Sequence, residues 1–175
     1  MKTKTKSQGS SLREVQQPIK QAYKEAPARA QVTLTARANM AEGGPYACSV
    51  ETGRAIAEAQ APAGVGGPGT AACSGDLLLG ALAACTQITV QMVAANMGLL
   101  LDDIQVEVQG DLDLRGTLGL SGDVPVGFQS IRTYVHVQGD LGPKERRVLQ
   151  QLSEKYCVVL STLRAAPPVK TEWSY

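Results

Sequence analysis

The sequence predicts an α+β fold, an antiparallel-rich sheet around one long buried helix. Two observations carry that reading. Stretches whose apolar residues alternate with a period of two lie on both sides of an uncharged run from Leu77 to Leu101. A shorter stretch of helical spacing follows the second group of strands, so the order is strands, central helix, strands, helix, strand.

The elements follow in chain order. Ser11 with Glu14 fits a capping box, and Leu12, Val15, Ile19 and Tyr23 recur at helical spacing, with Pro18 expected to kink or restart the helix. Val32, Leu34 and Ala36 alternate with Thr33, Thr35 and Arg37 as a half-buried strand. Glu42 to Pro45 turns the chain, and Tyr46 to Val50 and Arg54 to Glu58 read as further strands. Ala61 to Gly75, rich in Gly, Pro and Ala, is a loop. The run that follows is long enough to span a bilayer, but it carries Thr86, Gln87, Thr89, Gln91 and Asn96 and lacks flanking aromatics, which favours a helix buried in protein.

Ile104, Val106 and Val108, and then Ile131, Thr133, Val135 and Val137, mark two more strands, joined by a long connection over Asp113 to Gly127. Pro143 suits the first position of a helix whose apolar face is Val148, Leu149, Leu152 and Tyr156, continued or restarted from Cys157 to Leu163. Pro167-Pro168 ends it, and Val169, Thr171, Trp173 and Tyr175 alternate as a last strand.

With 175 residues the chain fits one compact domain, enough to bury about two-thirds of its unfolded surface. A net charge of +1 gives no field for nucleic acid, and the basic start with Lys2, Lys4 and Lys6 lacks the apolar core of a secretory signal. The expectation is a cytoplasmic protein with no membrane or nucleic-acid partner, residues 1–30 forming a basic tail and helical arm and 31–175 the folded domain. In a reducing compartment the four cysteines, Cys48, Cys73, Cys85 and Cys157, are thiols, reactive or merely buried. No two have CxxC spacing and His136 is the single histidine, which argues against zinc.

The run Gly66-Gly67-Pro68-Gly69-Thr70 leading to Cys73-Ser74-Gly75-Asp76-Leu77-Leu78-Leu79-Gly80-Ala81-Leu82-Ala83-Ala84-Cys85 resembles the central helix of the OsmC/Ohr family, named for osmotically inducible protein C and organic hydroperoxide resistance. Glu154-Lys155-Tyr156-Cys157-Val158-Val159-Leu160-Ser161-Thr162-Leu163 resembles that family's second cysteine segment, and with the element order the resemblance covers roughly residues 31–175. It implies an OsmC-like fold in an intertwined homodimer and a peroxidase of the oxidative stress response. There Cys85 attacks an organic hydroperoxide, Cys157 captures the resulting sulfenic acid as a disulfide, and an external dithiol reductant resets the pair without a bound cofactor. On residue chemistry alone, Cys85 reads as a small sulfur packed in an apolar helix, and Cys157 either opens a helical segment whose amides stabilise a thiolate or packs behind Tyr156. The resemblance is what makes them a redox pair.

The attacking species is a thiolate, and an ordinary cysteine is only a few per cent ionised at pH 7. Lowering its pKa by about two units takes roughly 2.7 kcal/mol, within reach of one arginine in a partly desolvated pocket. Arg37 resembles the family's strand arginine, with Arg54 as competitor. Asp76 is the acid available to orient it, although the hydroperoxide-resistance branch carries a glutamate one position earlier, where this chain has Gly75. Asp76 equally suits the first turn of a helix for electrostatic reasons alone. Cys48 and Cys73 read as packing, Cys73 also as a competing resolving thiol, and His136 as solvent-facing. Aromatics at 4% leave aliphatic side chains to shape any pocket, which suits an alkyl hydroperoxide. The competing functions are a protein of the same fold that binds a small apolar molecule with unreactive cysteines, and a stress-related dimer acting through its arm.

Overall fold

The computed structural model of the chain describes residues 8–33, 36–40, 47–52, 55–120 and 122–175. Helix α1 (Gln8–Glu25) is followed by strands β1 (Ala36–Met40), β2 (Ala47–Thr52) and β3 (Ala55–Gln60), the long helix α2 (Ser74–Met97) and strand β4 (Asp103–Asp111). A short helix α3 (Leu114–Thr117), strand β5 (Ser130–Gln138) and helices α4 (Pro143–Tyr156) and α5 (Val158–Arg164) complete the order. The contacts divide the chain into two compact units. One comprises the described part of Met1–Arg13 with Ala81–Val106 and Val135–Tyr175, the other Glu14–Gly80 with Glu107–Tyr134.

Strands β1, β2 and β3 form an antiparallel meander, with Ala36 opposite Thr52, Met40 opposite Cys48 and Ala47 opposite Gln60. The first strand therefore starts at Ala36 and not at Val32, which is exposed coil. Among the described residues the pairing of β1 with β2 runs from Ala36 opposite Thr52 to Met40 opposite Cys48, and Val32 takes no part in it. The expected turn at Glu42 to Pro45 lies outside the described residues, as do Leu34, Thr35 and Arg54.

Strands β4 and β5 pair with each other. Asp102 N–H donates to the Gln138 carbonyl at 2.8 Å at one end, and Gln129 N–H to the Asp111 carbonyl at 2.8 Å at the other, so they run antiparallel. Along β4, exposed and half-buried residues alternate at a period of two. Gly110 makes room for Phe128, since a Cβ there would stand 2.6 Å from the ring.

Helix α2 opens and closes with defined caps. The Cys73 carbonyl accepts from Leu77 N–H at 3.1 Å, and the Asp76 carboxylate reaches back to the Cys73 N–H at 2.8 Å, the return half of a capping box. At the other end Gly98 takes φ 74°, Leu99 N–H bonds the Ala94 carbonyl and Gly98 N–H the Ala95 carbonyl, a Schellman ending only glycine adopts readily. The helix thus stops short of Leu101, and Leu99 and Leu101 pack into the core instead.

The buried residues of α2 beyond its first turns, Leu82, Thr86, Val90, Val93 and Ala94, form one line at helical spacing. Leu149, Ser153 and Cys157 form the matching line along and just beyond α4, and Val90, Val93 and Ala94 cluster with Leu141 and Leu149. Not all of the apolar surface of α2 is covered by its own chain. Ile88 is 54% exposed and Met92 and Leu78 are exposed too. By length and composition, α2 is also the one helix among the described residues that is long and apolar enough to cross a membrane.

Several expectations are corrected. Helix α1 already includes Gln8 to Ser10, so Ser11, the proposed cap, lies inside the helix, which continues through Pro18. Tyr156 was expected on the inner face of α4, but it is 56% exposed and Ser153 lies inside in its place. The connection after β4 holds α3, capped by Asp113, whose carboxylate accepts from the Arg115 N–H at 3.0 Å. No strand forms over Val169 to Tyr175; that segment is irregular and exposed, since its alternation needs a neighbouring strand that the described residues do not offer it.

Candidate active site

Cys157 joins two helices. Its N–H donates to the Ser153 carbonyl at 3.0 Å and closes α4, while its carbonyl accepts from Ser161 N–H at 2.9 Å and opens α5. Between these bonds its backbone is extended, at φ −72° and ψ 108°, so the helices are separate. A helix start leaves its first amides without intrahelical acceptors. Those of Val158 and Val159 find the sulfur of Cys85.

Cys85 sits half-buried in the middle of α2, and Cys157 is 1% exposed; both are free thiols. Burial pushes the Cys85 thiol up. Hydrogen bonds from the Val159 amide, the Cys157 thiol, the Val158 amide and the Thr89 hydroxyl act the other way, and together they hold it below its ordinary value. No cation is needed for this shift, which arises from dipoles converging on one sulfur. The Thr89 contribution is the smallest of these, because its Oγ1 directs its one proton to the Cys85 carbonyl at 2.7 Å, one turn back along α2. Thr86, 8% exposed, places its Oγ1 3.7 Å from the Cys157 sulfur. A hydroxyl thus stands beside the Cys157 sulfur, and the Cys157 thiol is among the groups that act on Cys85.

The other expected site residues lie in the other unit. Arg37 stands exposed on β1, in register with Glu51. Asp76 is in the first turn of α2, its carboxyl held below the usual range first by the Cys73 amide and then by the Cys73 thiol, against slight desolvation. The ion pairs among the described residues are Arg115–Asp113, Arg132–Asp111 and Arg164–Glu154, so Asp76 is engaged by Cys73 and not by Arg37. His136 is exposed on β5.

Sequence reasoning missed Thr86, Thr89 and Ser153. Thr89 carried a faint signal, four positions after Cys85 and hence on its side of the helix. Thr86, the next residue, lies about 100° further round and carried none. The amides that open the helical segment at Cys157 were read as support for a thiolate at Cys157, whereas those of Val158 and Val159 act on Cys85.

The family model described as OsmC-like protein matches residues 67–172, more than half of the chain. The chain belongs to the OsmC family. Solved structures of this family share its fold. An OsmC-like protein from Mycoplasma pneumoniae superposes with a TM-score of 0.64 at 15% identity, over 78% of this chain and 90% of that one. An organic hydroperoxide resistance protein from Elizabethkingia anophelis, with thiocyanate bound, gives 0.61 at 16%, over 78% and 91%. An organic hydroperoxide resistance protein OsmC from Legionella pneumophila gives 0.58 at 21%, over 77% and 90%. No curated protein matches the chain. At these identities the likeness establishes the OsmC fold and leaves the chemistry to the residues.

Proposed function

We propose that this OsmC-family protein is a thiol-dependent peroxidase that reduces organic hydroperoxides through Cys85 and Cys157. The observation that carries the reading is the convergence of the Val159 and Val158 amides, the Cys157 thiol and the Thr89 hydroxyl on the Cys85 sulfur. A sulfur so placed ionises more readily, and the second thiol is one of the groups that favour its ionisation.

In the first step the Cys85 thiolate attacks the terminal peroxide oxygen. An S–O bond forms, the O–O bond breaks and the alkoxide leaves as an alcohol after taking a proton. In the second, Cys157 attacks the oxidised sulfur, an S–S bond forms and water is released. A dithiol reductant then returns both sulfurs to thiols by disulfide exchange. Names of related OsmC structures mention organic hydroperoxide resistance, which agrees with this substrate class. Arg37 and Asp76 are proposed to assist activation, as the family resemblance implies.

A cytoplasmic homodimer is part of the proposal. The exposed Ile88 and Met92 on α2 support a second copy as their cover. The test is consumption of an alkyl hydroperoxide in the presence of dithiothreitol. Wild type is expected to turn over, Cys85→Ser to lose all activity above background, and Cys157→Ser to consume one equivalent and stop when dithiothreitol is withheld. Equal consumption by wild type and Cys85→Ser overturns the reading.

A further inference from the structure

We propose that Ser153 is a positioning residue for Cys157, its hydroxyl turning to donate to the Cys157 sulfur when that sulfur ionises to capture oxidised Cys85. The inference rests on the peroxidase reading and assigns it a residue that the shared fold does not.

The starting observation is an orphan. Ser153 is 7% exposed, and its Oγ is buried without a hydrogen-bond partner among the described residues. Such a group destabilises the fold that holds it, so a bare packing role does not account for a hydroxyl there. Its neighbours say what it could serve. On α2 the buried line runs opposite to that of α4: Thr86 meets Cys157, whereas Val90, Val93 and Ala94 cluster with Leu149. Ser153 falls between these levels, one turn from Cys157 on the same face, with the Cys157 N–H on its carbonyl. One side of it is apolar; the other leads to the sulfur.

Cys157 has need of a donor. To attack, it must carry negative charge at 1% exposure, out of reach of solvent. From α2 it is faced by the Thr86 hydroxyl and by Cys85, the one titratable group there. From α4 and α5 the nearby charges are Glu154 and Arg164, which bind each other at 3.0 Å, while Lys155 and Tyr156 are exposed. Hydroxyls must therefore stabilise the attacking thiolate. As it attacks, the S–S bond forms, the S–O bond of Cys85 breaks, and the departing hydroxide takes a proton to leave as water.

The experiment treats wild type and Ser153→Ala with one equivalent of tert-butyl hydroperoxide from about pH 6 to about pH 9. Samples are quenched by alkylation, and the Cys85 sulfenic acid and the Cys85–Cys157 disulfide are quantified by peptide mass spectrometry. The variant is expected to form sulfenic acid at the wild-type rate and to close the disulfide about tenfold more slowly at neutral pH. At alkaline pH it catches up, and its thermal midpoint is equal to or above that of wild type. Unchanged closure overturns the proposal, and so does closure slowed equally at every pH, which is the mark of lost packing. If Cys85 in wild type ignores the peroxide, the peroxidase reading fails instead. Closure driven by the thiol oxidant diamide then makes the same comparison, and a pH-dependent deficit there still supports the role of Ser153.

Discussion

The Cys85 sulfur carries the chemistry because four groups reach it, and each can be removed singly. Thr89→Val deletes one hydroxyl while preserving volume, and the pH profile of Cys85 alkylation is expected to move upward, as followed by peptide mass spectrometry. The same contacts have a consequence for stability. Because the folded pKa of Cys85 lies below its unfolded value, the thiolate contributes stability that is fully present above the unfolded value and is lost as pH falls through the folded one. Denaturation of wild type and Cys85→Ser should therefore show a difference that grows toward alkaline pH through that window. A constant difference contradicts the direction of the shift. At this scale the sequence was legible only through resemblance. Cys85 and Cys157 stood out by context, whereas a buried Ser153 between Leu152 and Glu154 reads as a solvent-facing position until the helix phase is known.

The helices position these sulfurs, and their ends were partly readable. Pro143 at the first turn of α4 is a signal with a mechanism and stands where that mechanism puts it, whereas the Gly98 ending of α2 lay unread inside the apolar run to Leu101. Gly98→Ala must hold φ 74° with a Cβ, which costs about 1–2 kcal/mol and is measurable by chemical denaturation. Asp76 separates two roles. As a cap for the Cys73 amide it contributes stability that is lost as pH falls through its lowered folded value, so Asp76→Asn is expected to be less stable near neutral pH. If that variant keeps the Cys85 alkylation profile of wild type, the carboxylate acts as a cap alone; if the profile rises, it also assists activation. The sequence left open whether the helix continues or restarts at Cys157, and the structure shows a restart made by a single torsion there that any residue can adopt. The final strand was overread: alternation records a face to be covered, and the cover is not supplied to Val169–Tyr175 by a neighbouring strand among the described residues.

At the scale of the whole molecule, element order gave the α+β class, two strand groups around one long apolar helix, and the resemblance of the two cysteine segments narrowed it to the OsmC fold that the family match shows. That helix stays exposed at Ile88 and Met92, and the arm leaves Val15, Ile19 and Tyr23 uncovered. Ile88→Glu is expected to shift the protein to monomer in sedimentation, and an unchanged mass places the dimer contact elsewhere. The central claim is that Cys85 and Cys157 form one redox centre, and mapping sulfur oxidation after one equivalent of an alkyl hydroperoxide tests it most directly. The account predicts a Cys85–Cys157 disulfide in wild type and a trapped Cys85 sulfenic acid in Cys157→Ser. Slow oxidation scattered over Cys48, Cys73, Cys85 and Cys157 would contradict it.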